Sequence, residues 1–304
     1  MNIPIPLTLA LSLSAVLGGN IAKKRYSDKH LASVSDGFIY NAIGCITAAL
    51  ILLCWGGFGN ASTFTILLGL LFGAVTSLQG ITNITALQVG PMSYTSVIIS
   101  FSTLISALSG LFFFGESLGW AQIVGIVLML ISFVLATEKE NGEQKKVNLK
   151  WFLLCIAAFF ATGGIGVMQK VHQSSQYASE LNAFLIIAFI SSAFFGMIFA
   201  IILKMRNNSA KSNQEESTYN KKHLPAMLLL MLISGICIAV NNKFNLYLSG
   251  VMDSAVFFPI ANGGNLVLTT LAAVVIFREK LSIKQWIGIV FGIVSVVFLC
   301  NPFA

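Results

Sequence analysis

The chain has 304 residues, of which 56% are hydrophobic and only 10% are charged, and its formal net charge is +7. A soluble domain carries about 25% charged residues, so this composition excludes an ordinary soluble protein and predicts an all-α polytopic membrane protein. The basic residues occur in short loops between apolar runs, which favours a role in membrane orientation and argues against a nucleic acid as partner.

Ten apolar segments are long enough to cross a bilayer, for which a helix needs roughly 17–25 residues. They must be helical, because a lipid-facing segment can satisfy its backbone polar groups only internally. The first segment follows no basic n-region and precedes no small-residue cleavage site, so we expect it to be retained as a helix. The segments are residues 4–22, 38–55, 64–83, 93–114, 119–136, 151–169, 182–203, 224–248, 254–277 and 283–301.

One stretch of the chain occurs twice, without a gap, at a separation of 163 residues. Residues 102–136 resemble residues 265–299, and each copy is an apolar helix, a short charged turn and a second apolar helix. A repeat of this length indicates that the fold is built from two related halves. The matched pairs include Glu116 and Glu279, Gln122 and Gln285, Gly125 and Gly288, and Ser132 and Ser295.

The charged segment 137–150 divides the chain into two repeats of five predicted helices, residues 1–136 and 151–304. Since five is odd, the second repeat must cross the membrane in the opposite direction from the first, as in the inverted repeats of many secondary transporters.

In the second copy of the charged turn, Ser282 and Gln285 have the spacing of a capping box.

Sixteen of the eighteen Lys and Arg residues lie in the loops that follow the odd-numbered helices. The positive-inside rule therefore predicts that these loops are cytoplasmic and that both termini lie outside. We expect the protein to lie in the plasma membrane. The other two basic residues are Lys170 and Lys243, of which Lys243 is predicted to be the only one within a helix.

The sequence contains no metalloprotease, P-loop or nucleophile-elbow motif, and no acidic pair within a predicted helix. His30, His172 and His223 are expected to be solvent-exposed loop residues. The five cysteines lie in apolar runs without metal-ligand spacing,. We therefore expect neither an enzyme nor a metal or cofactor site.

Two kinds of charged residue allow a functional and a structural interpretation. Glu116 and Glu279 can each stabilise the N-terminus of the helix that follows, or can act as gate residues that pair with a cation in one state. Lys243 can extend to the outer interface, or can meet an anionic group of a substrate. No carboxylate lies near the centre of a predicted helix to serve as an obvious ion-coupling site.

Amide and hydroxyl side chains cluster on the third, fourth, eighth and ninth predicted helices, where an unpaired polar group would be costly to bury. Pro259 removes a backbone donor from the ninth helix, and the pair Gly263–Gly264 allows either close approach of a neighbouring helix or local unwinding. Broken or loosened helices are typical of transporter sites. The same residue types also join helices to one another, which remains the alternative. The predicted substrate contacts are Gln79, Asn83, Tyr94, Asn241, Lys243, Asn262 and Asn265.

Two matched motifs, together with ten predicted helices in two halves, give the chain a resemblance to the EamA type of the drug/metabolite transporter superfamily. The resemblance covers nearly the whole chain and is almost silent on the substrate. Its residues are Phe114–Leu118 with Gln122 and Gly125, Phe277–Leu281 with Gln285 and Gly288, and the run Ala86–Pro91.

The resemblance implies a basket of helices around a central cavity. The cavity would be lined by the first, third, fourth, sixth, eighth and ninth predicted helices. The small four-helix multidrug members use a glutamate in their first helix for proton-coupled export. This chain has no carboxylate in its first or sixth predicted helix, so that mechanism is not implied. Many members have cytoplasmic termini, whereas the basic residues here predict the reverse.

We predict a secondary transporter that moves a small polar metabolite, such as an amino acid or a related compound, by alternating access. A multidrug exporter is the alternative within the same class, and a non-transporting membrane scaffold or receptor is the alternative outside it. The expected partners are the small-molecule substrate and the lipid bilayer, and a homo-oligomer is left open.

Overall fold

The computed structural model describes residues 4–30, 34–89, 92–136, 148–210, 224–278 and 281–300. Within these ranges the chain is mostly helical and contains no strand. The helices are α1 (Ile5–His30), α2 (Val34–Gly56), α3 (Thr63–Val89), α4 (Met92–Ser100), α5 (Thr103–Phe113), α6 (Trp120–Ala136), α7 (Leu149–Gln173), α8 (Leu181–Ala210), α9 (Leu224–Val251), α10 (Ser254–Phe277) and α11 (Ile283–Leu299).

Each of the ten predicted apolar segments is helical over most of its described length. Eight segments of the described chain are long and apolar enough to cross a membrane, and α6 and α11 are shorter apolar helices of 17 residues each. One of the eight segments, Tyr94–Phe113, consists of α4 and α5 together. The protein is therefore a multi-pass membrane protein of the all-α class. The predicted linker and the longest loop fall mainly on residues 137–147 and 211–223, which lie outside the described residues.

The fourth predicted helix, residues 93–114, is interrupted at Phe101 and Ser102. The Ser102 N–H donates to the Ile99 carbonyl at 3.0 Å, and the Leu104 N–H donates to the Phe101 carbonyl at 2.9 Å. These bonds span three residues instead of four, which is the tighter 3₁₀ geometry. The interruption lies near the middle of the Tyr94–Phe113 segment.

Of the two alternatives for the ninth helix, local unwinding is wrong, because α10 runs without a break from Ser254 to Phe277. Pro259 lies early in the helix, so its missing N–H removes one bond without ending the helix. The glycine pair serves close approach, the other alternative. A Cβ at Gly263 would overlap Met129 of α6, and a Cβ at Gly264 would lie 3.2 Å from Leu13 of α1.

The chain forms two compact units. Unit 1 contains Met1–Leu13, Leu78–Ala178 and Phe244–Ala304, and unit 2 contains Ser14–Ser77 and Ser179–Lys243. Both units draw residues from both predicted repeats, and the division falls within α1, α3 and α9.

In unit 1, α6 and α11 pack through matched residues of the repeat. The Ser132 hydroxyl donates to the Gly288 carbonyl, and the Ser295 hydroxyl donates to the Gly125 carbonyl, both at 2.7 Å. All four residues are buried. Glycine lets the two backbones approach closely enough for a side chain to reach the opposite carbonyl. The matched residues of α6 and α11 therefore hold these two helices together.

The two charged turns of the repeat end their first helices in the same way. Gly115 follows α5 with a φ of 66°, and the matched Arg278 follows α10 with a φ of 57°. A left-handed residue ends a helix by turning the chain away from the helix axis. The second turn then forms the predicted capping box between Ser282 and Gln285. The first turn keeps half of it, since Gln122 accepts a hydrogen bond from the Gly119 N–H at 2.8 Å.

In unit 2, α3 and α8 pack through small residues. A Cβ at Gly69 would lie 3.1 Å from Ile187, and one at Gly73 would collide with the backbone of α8. The Ser191 hydroxyl donates to the Leu70 carbonyl at 2.9 Å. Gly69 and Gly73 therefore form a small-residue contact between α3 and α8.

Candidate functional site

A buried ion pair joins two helix ends in unit 1. Glu116 lies in the turn after α5, and Lys170 lies in the last turn of α7. The Lys170 Nζ is 2.7 Å from the Glu116 Oε1, and the two side chains are only 8% and 11% exposed. The same ammonium donates to the Met252 carbonyl at 3.0 Å, just after α9. Lys170 therefore has both a counter-charge and a neutral acceptor.

Glu116 also caps the N-terminus of α10. Its Oε2 accepts a hydrogen bond from the Ser254 N–H at 2.7 Å, and its Oε1 accepts one from the Ser254 hydroxyl at 3.2 Å. Asp253 occupies the N-cap position, yet its side chain makes no capping hydrogen bond. A carboxylate from another element thus satisfies the orphan donor and complements the positive end of the helix dipole. We call Glu116, Lys170, Met252 and Ser254 the latch.

The expectation that Glu116 stabilises the helix following it is therefore wrong. Gly115 turns the chain left-handed, and the Glu116 N–H then donates to the Gly110 carbonyl at 3.1 Å. The carboxylate is placed over the last turns of α5, where a Cβ at Gly110 would overlap it. Glu116 consequently faces α10 and α7, not α6. Its matched residue Glu279 lies outside the described residues.

Two further expectations about this region are wrong. Lys243 is not the only basic residue within a helix, because α7 continues to Gln173 and includes Lys170. His172 is not a solvent-exposed loop residue, since it lies in the same turn and is completely buried. The helix extends beyond its apolar segment because the latch supplies partners for the charge of Lys170.

The interruption between α4 and α5 is surrounded by polar contacts within unit 1. The Asn262 Nδ2 of α10 donates to the Thr103 Oγ1 at 3.0 Å. One turn along α5, the Ser106 hydroxyl donates to the Gly163 carbonyl of α7 at 3.0 Å. Asn262 is exposed, whereas Ser102 and Thr103 are buried. We call Phe101, Ser102, Thr103 and Asn262 the polar break.

The other predicted contacts of unit 1 lie on three helices. Gln79 and Asn83 are half-buried and one turn apart on α3, and their side chains have no hydrogen-bond partner among the described residues. Tyr94 is 64% exposed on α4. Asn265 is half-buried on α10, one turn beyond Asn262. Asn262 itself donates to Thr103, as described above.

The two predicted contacts of unit 2 lie on α9. Asn241 is half-buried. Lys243 is 6% exposed, and its ammonium lies 4.2 Å from the centre of the Trp55 ring of α2. An ammonium over an indole face is a favourable cation–π arrangement. The side chain of Lys243 is thus held inside the unit.

Sequence reasoning named Glu116 as a possible gate residue that pairs with a cation, but it missed the partner Lys170 and it missed Thr103. The signal for Glu116 was present, because a carboxylate at the same place in both repeat copies is unusual in so apolar a chain. No local pattern identifies its side-chain partners, Lys170 of α7 and Ser254 of α10. Among the described residues, no group of three or more His, Cys, Asp or Glu side chains lies close enough to hold a metal.

The chain is similar to known proteins in sequence and in fold. Residues 4–137 and 149–301 match the EamA-like transporter family. An uncharacterized protein of Haemophilus influenzae is 26% identical over 204 residues, which are 65% of this chain and 62% of that protein. The match therefore spans less than two thirds of that relative. A protein of known crystal structure shares the fold with a TM-score of 0.71 at 16% identity, over 98% of this chain and 99% of that one.

Proposed function

The chain belongs to the EamA-like transporter family, and from this premise we propose that it is a secondary transporter that moves a small polar metabolite, such as an amino acid or a related compound, across the plasma membrane. The substrate contacts in unit 1 would include Asn262 and Thr103 of the polar break. Gln79, Asn83, Tyr94 and Asn265 remain proposed contacts in the same unit, as do Asn241 and Lys243 in unit 2.

The observation that carries this proposal is the interrupted helix at the polar break. Transporter sites are typically formed where a membrane helix is discontinuous near the bilayer midplane, since the freed backbone groups can then face a solute. The break between α4 and α5 lies near the middle of an apolar segment. An exposed amide, that of Asn262, is fixed beside it by its bond to Thr103.

We further propose ten membrane crossings arranged as two inverted five-helix repeats. The reciprocal bonds of Ser132 with Gly288 and of Ser295 with Gly125 support this arrangement. Residues related by the repeat make the same contact in both directions, as a two-fold relation between α6 and α11 requires. The basic loops would be cytoplasmic and both termini external.

Alternating access needs contacts that form in one state and break in another. The latch is a candidate for such a contact, because it fastens the ends of α5, α7, α9 and α10 through charge-assisted bonds. Under the proposed orientation these ends lie on the outer side. The latch would hold the outer end of unit 1 closed and would open for solute exchange there.

A ligand-stability screen on the purified full-length protein tests the proposal, since a solute that binds the native state raises its apparent stability. At least one amino acid or related metabolite should raise the melting temperature. The variant N262A should weaken that effect about tenfold, the cost of one lost hydrogen bond of about 1.4 kcal/mol.

The matched control is N41A, which removes an exposed amide of α2. It should leave the effect unchanged. If no metabolite stabilises the folded protein while a protein partner binds it tightly, the protein is a scaffold or receptor and not a metabolite transporter. If only lipophilic cations stabilise the protein, it is a multidrug exporter.

A further inference from the structure

Two lysines are buried among the described residues, and their ammonium groups have different partners. Lys170 has a carboxylate at 2.7 Å and a carbonyl at 3.0 Å. Lys243 has the Trp55 ring at 4.2 Å but neither a hydrogen bond nor an ion pair with any described residue. A buried ammonium is costly unless its N–H groups find acceptors. Lys243 therefore presents donors that the described chain leaves without an acceptor.

A second donor borders the same small space. Gly56 ends α2, and a Cβ there would overlap the Asn182 Nδ2 and would lie 3.6 Å from the Lys243 Nζ. The one acceptor of the Asn182 amide, the Gly57 carbonyl, is 3.4 Å away, which is long for an N–H···O bond. An amide and an ammonium thus converge beside a residue that has no side chain.

The flank of this space is aromatic and apolar. The Trp55 side chain is 46% exposed. It borders an open groove of about 380 Å³ whose other lining residues are Thr47, Leu50, Ile51 and Cys54. A ligand that reached Lys243 could therefore place an apolar portion along Trp55.

We propose that Lys243 and Asn182 bind the anionic oxygen group of a small organic molecule whose apolar part packs on Trp55. A carboxylate or a phosphate offers the acceptors that these donors need, and a bond between ionised groups is stronger than a neutral one. The inference rests on the proposed transport function and narrows its substrate to organic anions with an apolar flank.

The test is thermal unfolding of the full-length protein in detergent with phenylacetate, phenyl phosphate or the neutral phenylacetamide. At least one anion should raise the melting temperature, and the amide should not. K243Q should weaken anion binding about tenfold to a hundredfold, the effect of losing a hydrogen bond to a charged group. K243R keeps the charge and should retain the anion's effect.

Two variants serve as matched controls. K150Q removes an exposed lysine at the start of α7 and should bind the anion as the wild type does. W55A should weaken binding of the aromatic anion. W286A, which removes a similarly exposed tryptophan of α11 (47%), should not.

Equal stabilisation by the amide and the anions, or a full anion effect in K243Q, would overturn the inference. A shift that appears only in nanodiscs containing phosphatidylglycerol would also overturn it, because the ligand would then be a lipid headgroup. If K243Q proteoliposomes exchange solutes at the wild-type rate while no anion binds the wild type, this inference fails and the transport function stands. If the folded wild type exchanges no solute at all, both fail.

Discussion

Glu116 and Lys170 lie 2.7 Å apart, and the same carboxylate caps α10 through Ser254. One side chain thus serves as a counter-ion for α7 and as the N-cap acceptor for α10. Because both roles are buried, removing the carboxylate deprives two groups of their partner, the Lys170 ammonium and the Ser254 backbone N–H.

Breaking one side of the ion pair should be strongly destabilising. E116Q and K170M should each lower the free energy of unfolding by about 3–5 kcal/mol, because each leaves an uncompensated buried group. The double variant E116Q/K170M should lose less than the sum of the two, since it removes both charges. Melting temperatures of the purified variants measure this coupling. Strictly additive losses would show that the two residues do not interact.

Exchanging the two charges should not rescue the protein. E116K/K170E restores an opposite-charge pair, but it places an ammonium at the positive N-terminal end of α10. It also removes the acceptor for the Ser254 N–H. We expect this double variant to unfold at a lower temperature than E116Q/K170M. Recovery to wild-type stability would mean that the capping role of Glu116 is unimportant.

Gly110 should be intolerant of a side chain. A Cβ there would overlap the Glu116 carboxylate, so G110A should cost about 1–3 kcal/mol, as overpacking of a buried site does. G164A is the matched control, because a Cβ at that helical glycine meets nothing within 4 Å. It should be neutral or stabilising by about 0.5–1 kcal/mol. Equal melting temperatures for the two variants would contradict the geometry of the latch.

Replacing Arg278 with glycine should stabilise the protein. Its φ of 57° is the left-handed conformation, which costs a residue with a Cβ about 1–2 kcal/mol. R278G should therefore raise the unfolding free energy by about that amount, whereas R278K keeps the Cβ and should change little. The matched Gly115 should show the reverse, with G115A destabilising. If R278G and R278K unfold alike, the left-handed turn stores no strain.

The sequence was sufficient to locate the helices, because long apolar segments bounded by charged turns have few alternatives in a membrane. The matched pairs Ser132 with Ser295 and Gly125 with Gly288 also identified residues that pack α6 on α11. Their role follows from small size and repetition, both of which are visible in one dimension.

Neither the polar break nor the latch could be predicted from the sequence. Nothing between Val97 and Ile105 is a proline or a glycine, so no helix-breaking residue marks the interruption at Ser102. Pro259 indicated an interruption that does not occur, because a proline early in α10 removes one hydrogen bond without ending the helix. Lys170 adjoins the end of an apolar segment, and only the folded chain shows that Glu116 provides its partner.

The most direct test is solute counterflow in proteoliposomes containing the full-length protein. Vesicles loaded with unlabelled solute, chosen because it stabilises the purified protein, should transiently accumulate the labelled solute from outside. N262A should reduce the initial rate severalfold at equal protein content, and N41A should not. Accumulation no greater than in protein-free vesicles, by folded protein that binds the solute, would contradict the assignment as a transporter.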